Sequence, residues 1–156
     1  LFEDAVRDAI HALKYRGGRR VALPLATRMA VYWYERGLAA DFLIPVPLHP
    51  QRERQRGYNQ SALLAQALAP QVEVPVDVTI LYRTRATASQ THLGVPARWD
   101  NVRDAFACSA SVDLTGMRVV LLDDVATTGA TLDACAVALL AHGARSVGAF
   151  TLAHAA

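Results

Sequence analysis

The sequence is poor in cysteine and contains no long apolar run. Cys108 and Cys135 are the only cysteines in 156 residues, and their separation fits no metal-binding motif. Two cysteines do not make a disulfide framework, so we expect a reducing, cytoplasmic location. No apolar run approaches the roughly 18 residues of a membrane span, and no signal peptide is visible, so the sequence predicts no association with a membrane.

Lysine is almost absent, and arginine carries the positive charge. Lys14 is the single lysine, and the formal net charge is only +2. This balance gives no argument for a nucleic-acid-binding protein. The chain also lacks the Gly-x-x-x-x-Gly-Lys-Ser/Thr loop, which excludes a P-loop NTPase. The length and an apolar content of 53% predict a single domain over residues 1–156, and the start at Leu1 rather than methionine indicates a fragment or missing first residues.

The stretch Val119–Leu132 organises the rest of the chain. Its four leading apolar residues predict a buried parallel strand, which ends in Asp123 and Asp124 and continues into the small-residue turn Ala126–Thr131 and a helix. Backbone N–H groups and the helix dipole at such a turn favour a phosphate, and Gly129 lets the main chain approach it. The carboxylates repel phosphate but bind hydroxyls. A ribose 5-phosphate offers a phosphate to the turn and hydroxyls to the carboxylates. The alternative interpretation is an ordinary strand–loop–helix unit with incidental acids.

Hydrophobic periodicity predicts the elements around this stretch. Apolar residues at helical spacing indicate helices over about 2–14 and 21–35, and Asn59 or Ser61 is a candidate N-cap for a third. The expected strands are Phe42–Val46, one or two within Val72–Tyr82, one starting near Ala105, and Val147–Leu152, with His154 just past its end. The pattern predicts an α/β fold with a mostly parallel sheet flanked by helices, and with two N-terminal helices alongside.

Three arginines follow the first predicted strand. Pro47–Pro50 stops that strand abruptly, and Arg52, Arg54 and Arg56 come directly after it. We interpret this segment as a second anion site, because it again lies between a strand end and a helix and because the first site already implies a phosphorylated ligand. The alternative is a solvated surface loop.

The stretch Val119–Leu132 resembles the ribose-phosphate motif of type I phosphoribosyltransferases, which have a Rossmann-like fold. The resemblance implies that Asp123 and Asp124 hold the ribose 2- and 3-hydroxyls of phosphoribosyl pyrophosphate (PRPP). It implies that the turn holds the 5-phosphate through Val125, Ala126, Thr127, Thr128, Gly129, Ala130 and Thr131.

Two other segments resemble the ComF-type branch of that family, which is linked to DNA uptake in natural competence. They are Pro45–Pro50 with Arg52 and Arg56–Gln60, and the pattern Leu13-Lys14-Tyr15-x-Gly17. The resemblance implies that pyrophosphate is held by Pro47, Leu48, His49, Arg52 and Arg56. Other branches often have a polar residue at Leu48, so contacts there are expected mostly from backbone N–H groups. ComF-type proteins often carry a four-cysteine zinc ribbon before this domain, which this chain lacks.

The segment from Arg83 to Asp104 is polar, aperiodic and long for a connection. The resemblance implies a mobile catalytic loop here, with Arg83, Arg85, Gln90 and Arg98 as its functional residues. The alternative is a plain surface excursion.

The resemblance implies a Mg²⁺-dependent transfer of ribose 5-phosphate from PRPP to an acceptor, with release of pyrophosphate. Asp123 and Asp124 would be the catalytic pair, and Mg²⁺ would bind through PRPP rather than through direct protein ligands. The sequence has no recognisable base-binding motif, so it does not define the acceptor. The alternative is a non-enzymatic domain that senses PRPP or a nucleotide, or an adaptor in single-stranded DNA import.

Overall fold

The computed structural model describes residues 2–15, 17–85, 102, 104–110 and 112–154. The elements, in chain order, are α1 (Phe2–Tyr15), α2 (Gly18–Glu35), β1 (Phe42–Pro45), α3 (Pro50–Arg56), α4 (Gln60–Val72), β2 (Leu81–Arg83), β3 (Phe106–Cys108), β4 (Arg118–Ala126), α5 (Ala130–Ala141) and β5 (Ser146–His154). None of the helices described is both long enough and apolar enough to cross a membrane.

The main sheet of the described chain is parallel and has the order β1-β4-β5. Strand β4 lies in the centre, with Ile44 of β1 on one side of Leu121 and Ala149 of β5 on the other. Strands β2 and β3 form a separate antiparallel pair. The predicted α/β fold, with its parallel sheet, flanking helices and two N-terminal helices, is confirmed.

Both faces of β4 are buried, which explains its unbroken apolar run. Leu122 points into a core formed with α2 and α4, where Trp33 and Leu64 are almost fully buried. Leu121 points to the opposite core, which α5 and the β2–β3 pair cover. A central parallel strand covered on both faces has no solvent side and therefore shows no alternation.

A tyrosine ties the corner between α1 and α2 to the start of α4. Tyr58 Oη donates a hydrogen bond to the Leu13 carbonyl at 2.7 Å and accepts one from Gly18 N at 3.3 Å. A Cβ on Gly18 would lie 2.3 Å from the Leu13 oxygen and 2.7 Å from Tyr58 Oη, so only glycine fits. This close packing fixes the last turn of α1 against the rest of the domain.

The segment after β1 is more ordered than the sequence suggested. Residues Pro50–Arg56 form helix α3, which the polar sequence did not reveal. Its N-cap is His49, whose Nδ1 accepts a hydrogen bond from Gln51 N at 3.3 Å, and proline occupies its first position, where no N–H is needed. Asn59 rather than Ser61 caps α4, and its side chain accepts from Ser61 N at 2.9 Å.

The second helix and two strand predictions need correction. Helix α2 begins at Gly18 rather than near residue 21, so Pro24 lies inside it. Of the one or two strands expected within Val72–Tyr82, β2 forms but begins only at Leu81. The alternating valines before it make only an isolated bridge, from Val76 to Leu43, because Asp77 Oδ1 accepts from the backbone N–H groups of Thr79 and Ile80 and turns the chain. His154 is the last residue of β5 rather than a residue beyond it.

Candidate functional site

The carboxyl ends of β1 and β4 meet at one edge of the sheet. Pro45 is in register with Leu122, so Asp123 and Asp124 lie beside the start of the segment after β1. Val46 N donates to the Leu122 carbonyl at 2.9 Å, and Asn59 Nδ2 donates to the Val46 carbonyl at 3.0 Å. These two bonds bring the N-terminus of α4 to the acid pair.

Asp123 is held by hydrogen bonds from α4 and from its own neighbour. Ser61 Oγ donates to Asp123 Oδ1 at 2.7 Å, and the Asp124 backbone N–H donates to the same oxygen at 2.9 Å. Burial, and then the negative charge of Asp124, raises the pKa of Asp123 to about 7, against the opposing effect of the Ser61 bond. The carboxyl of Asp123 therefore titrates near neutral pH.

Asp124 is only 3% exposed and forms an ion pair with helix α1. Lys14 Nζ lies 2.6 Å from Asp124 Oδ2. Gln60 Nε2 donates to Asp124 Oδ1 at 3.4 Å, and Arg56 Nη1 donates to Gln60 Oε1. A continuous polar chain thus runs from Arg56 through Gln60 and Asp124 to Lys14.

The turn after β4 forms a small hollow beside Asp123. Gly129 has φ 78° and is the N-cap of α5, so the cap residue itself has no side chain, and the first helical N–H group, of Ala130, donates to Thr128 Oγ1 at 3.4 Å. The hollow measures about 40 Å³. It is lined by Asp123, Val125, Ala126, Thr127, Gly129, Ala130, Thr131 and Leu132. Backbone N–H groups at such a helix start suit a phosphate.

A second, larger cavity of about 670 Å³ lies between α1 and α3. It is lined by Lys14, Tyr15, Gly17, Leu48, Arg52, Gln55, Arg56, Tyr58 and Gln60. The Arg56 guanidinium lies 5.5 Å from the centre of the Tyr15 ring. With one lysine and two arginines in its wall, this basic cavity favours an anion.

The structure brings together three of the five residues that were predicted to bind pyrophosphate. Leu48, Arg52 and Arg56 line the basic cavity. Pro47 instead lines a neighbouring hollow on the other side of α3, and the His49 side chain caps that helix. The pyrophosphate-binding assignment of all five residues stays a prediction.

The predicted mobile loop falls mostly outside the described residues, including Gln90 and Arg98. Arg83, expected in that loop, belongs instead to strand β2, and its guanidinium lies 5.2 Å from the centre of the Phe106 ring. Burial, and then the charge of Arg52, lowers the pKa of Arg83, whereas Asp123 acts in the opposite direction. The charge of Arg83 therefore interacts with those of Arg52 and Asp123, and Arg85 is exposed.

Three residues that contact the acid pair were not predicted from the sequence as site residues. They are Lys14, Gln60 and Ser61. Lys14 carried a signal, because it is the single lysine and lies within the ComF-type pattern. Gln60 also lies within a ComF-type segment, Arg56–Gln60, whereas Ser61 gave no signal beyond its position at a helix start.

The carboxylates fit a metal that arrives with its ligand. Among the described residues, no group of three or more His, Cys, Asp or Glu side chains is placed to hold an ion. Mg²⁺ often keeps several waters and binds substrate phosphates rather than a dedicated protein cage, so this site fits an ion that arrives with a phosphorylated ligand.

A family model described as "Phosphoribosyl transferase domain" matches residues 59–156. The chain belongs to the phosphoribosyltransferase family. Within it, the chain is 36% identical over 143 residues to DNA utilization protein YhgH of Salmonella typhi, covering 88% of this chain and 62% of the relative. It is 37% identical over 116 residues to competence protein F of Haemophilus influenzae, covering 74% of this chain and 51% of the relative. The predicted ComF-type membership is confirmed, and the chain spans only about half to three fifths of these relatives.

Solved phosphoribosyltransferase structures share the fold. Glutamine PRPP amidotransferase from B. subtilis superposes with a TM-score of 0.56 at 21% identity, covering 85% of this chain and 26% of that one. Purine phosphoribosyltransferase from Pyrococcus horikoshii gives 0.51 at 18% identity, covering 84% and 70%. This phosphoribosyltransferase domain therefore has the type I fold.

Proposed function

We propose that this phosphoribosyltransferase domain binds PRPP with Mg²⁺ and transfers its ribose 5-phosphate to an acceptor, releasing pyrophosphate. One observation carries the proposal: the acid pair lies between two hollows that suit anions. Asp123 lines the hollow at the turn after β4, and Asp124 contacts Lys14 and Gln60, which line the basic cavity. PRPP has the same order of groups, with ribose hydroxyls between a phosphate and a pyrophosphate.

Each group of PRPP then has a proposed partner. The turn Val125–Thr131 takes the 5-phosphate, Asp123 and Asp124 take the ribose hydroxyls, and Pro47–His49 with Arg52 and Arg56 take the pyrophosphate. Arg83 interacts electrostatically with Arg52 and Asp123, which supports a role at the bound ligand.

In the transfer, the bond between the anomeric carbon and the pyrophosphate oxygen breaks, and the acceptor supplies the electron pair for the new bond. Positive charge develops on the ribose, and the two carboxylates stabilise it electrostatically. Arg52 and Arg56 offset the charge of the leaving pyrophosphate. Bound Mg²⁺ would supply further neutralisation of that group. The protein contributes position and charge rather than a nucleophile.

Calorimetry with PRPP and Mg²⁺ tests binding. Asp123→Asn and Asp124→Asn should each weaken it, because each removes a charge-assisted hydrogen bond worth roughly 1.5–3 kcal/mol. Asp8→Asn is the matched control, since Asp8 is an exposed acid on α1 that lines neither the turn hollow nor the basic cavity. If the unmodified protein binds no PRPP with Mg²⁺ present, the proposal fails.

A non-enzymatic role is the second candidate, favoured by the names of the relatives, which refer to DNA utilization and competence. In this form the domain senses PRPP or a nucleotide, or serves as an adaptor in single-stranded DNA import. Pyrophosphate release across a panel of bases and amines separates enzyme from binder. A DNA adaptor should bind single strands with a steep salt dependence.

Cys108 and Cys135 are free thiols, which supports a reducing, cytoplasmic setting.

A further inference from the structure

Lys14 is shared by the acid pair and the basic cavity. Its Nζ lies 2.6 Å from Asp124 Oδ2, and its side chain also lines the cavity with Arg52 and Arg56. Resting on the proposed function, we propose that Lys14 is a ligand-contacting residue that exchanges partners. It neutralises Asp124 until ribose hydroxyls bind that carboxylate, and its ammonium then contacts the pyrophosphate group.

Because Lys14 forms an ion pair with Asp124 Oδ2, Lys14 has to move before a ribose hydroxyl can take that oxygen. The Lys14 side chain is 27% exposed and that of Asp124 is 5% exposed, so the pair is largely removed from water. A buried carboxylate that loses a cation is strongly disfavoured unless other donors replace it, and in the exchange the ribose hydroxyls and Gln60 Nε2 are those donors. A ribose hydroxyl that bonds Asp124 Oδ2 competes with the ammonium for the same oxygen.

The side chain can make this exchange without movement of its helix. Tyr58 Oη holds the Leu13 carbonyl, and Leu13 itself is fully buried, so the backbone next to Lys14 is fixed. A lysine ammonium has three donors on a flexible four-carbon stem. It can turn from Asp124 to an anion in the adjoining cavity by changes of side-chain torsion alone.

Gln60 keeps Asp124 partnered during the exchange. Its Nε2 bonds carboxylate oxygen Oδ1, whereas Lys14 Nζ lies 2.6 Å from Oδ2. Its Oε1 accepts from Arg56, a wall residue of the cavity. The carboxylate that receives the ribose thus stays connected to the arginine that faces the pyrophosphate.

The exchange predicts a coupling between two separate ligands. Ribose 5-phosphate frees Lys14 and should thereby tighten pyrophosphate binding, and linkage requires the reverse effect to be equal. Lys14→Gln should lower this coupling about fivefold or more, at the small end of the usual range for coupled sites. The measurement is calorimetry of inorganic pyrophosphate with and without ribose 5-phosphate, with magnesium omitted so that no metal bridges the two ligands.

Asp124→Asn gives the sharper test, because it releases Lys14 permanently. We expect this variant to bind pyrophosphate severalfold more tightly than the unmodified protein, while it binds ribose 5-phosphate more weakly. The double variant Lys14→Gln/Asp124→Asn should lose the gain. Asp123→Asn, measured at pH 8, is the matched control: it removes a neighbouring acid that Lys14 does not contact, and it should give a smaller gain.

The outcomes separate this inference from the function on which it rests. If the unmodified protein binds no PRPP with Mg²⁺ present, the proposed function fails. If it binds PRPP with Mg²⁺ but neither separate ligand without the metal, the proposed function stands and the exchange at Lys14 is refuted. If both ligands bind but Asp124→Asn does not tighten pyrophosphate binding, or tightens it no more than Asp123→Asn, Lys14 has no such role. The double variant removes both charges of the pair together, so its folding does not depend on an unpaired buried charge.

Discussion

At the scale of single residues, Asp123 combines two requirements that oppose each other. Burial and the neighbouring Asp124 raise its pKa to about 7, so the folded protein holds a proton that an unfolded chain, in which aspartate has its ordinary pKa of 3.8, releases. Binding of ribose hydroxyls is strongest to the ionised carboxylate. Ionising the Asp123 carboxyl for ligand binding therefore lowers the stability of the folded protein, which is typical of a functional group.

This conflict predicts a pH-dependent stability. Between about pH 4 and pH 7 the folded state binds more protons at Asp123 than the unfolded state does, so the free energy of unfolding should fall as pH rises through about 7. Asp123→Asn removes this contribution. Urea unfolding at pH 5 and pH 8 should show the variant gaining stability relative to the unmodified protein at pH 8. An equal difference at both pH values would contradict the raised pKa.

At the scale of elements, the contact between α1, α2 and the start of α4 positions Lys14. Tyr58→Phe removes one hydroxyl that serves both the Leu13 carbonyl and Gly18 N. We expect a loss of about 1–3 kcal/mol in unfolding free energy, because two backbone groups lose their partner. The loss is measured by urea unfolding.

Tyr34→Phe is the matched control for this element. Tyr34 Oη donates to the Gln71 carbonyl at 2.8 Å, but Tyr34 is 61% exposed, so water can replace the bond. Its loss should be clearly smaller. Equal losses for the two variants would show that the Tyr58 hydroxyl has no special structural weight.

Helix α3 could not be predicted from hydrophobic periodicity. Its residues are Pro-Gln-Arg-Glu-Arg-Gln-Arg, none of which is buried. Its boundaries come from the His49 cap at one end and Gly57, with φ 83°, at the other. Such a short polar helix has no apolar stripe from which to predict it.

At the scale of the whole molecule, the two hollows divide the proposed ligand into an end for phosphate and an end for pyrophosphate. Arg52→Ala and Arg56→Ala should each weaken inorganic pyrophosphate binding by about tenfold and ribose 5-phosphate much less, since each removes one charge-assisted contact in the basic cavity. Isothermal titration with each ligand measures the difference.

Arg54→Ala is the control on the same helix, because Arg54 is exposed and does not line the cavity. It should leave both affinities nearly unchanged. Equal losses for pyrophosphate and ribose 5-phosphate in the Arg52 and Arg56 variants would refute the division of the site.

The sequence by itself determined the central unit of this domain. An apolar strand, Asp123, Asp124, the turn at Gly129 and helix α5 follow one another along the chain, so local propensity and spacing were sufficient to predict them. The same holds for the two N-terminal helices, whose apolar faces recur at helical spacing. The alternating valines after Val72 predicted a strand too early, because the hydrogen bonds of Asp77 turn the chain there and β2 begins only at Leu81.

Only the tertiary structure decided what surrounds the acid pair. Ser61 and Gln60 reach Asp123 and Asp124 across more than sixty positions of sequence, and Lys14 arrives from the first helix. Their placement depends on the packing of Gly18 against Tyr58 and on the bond from Asn59 to the Val46 carbonyl. Such contacts follow from how helices dock on the sheet, and no local pattern in the chain records that geometry.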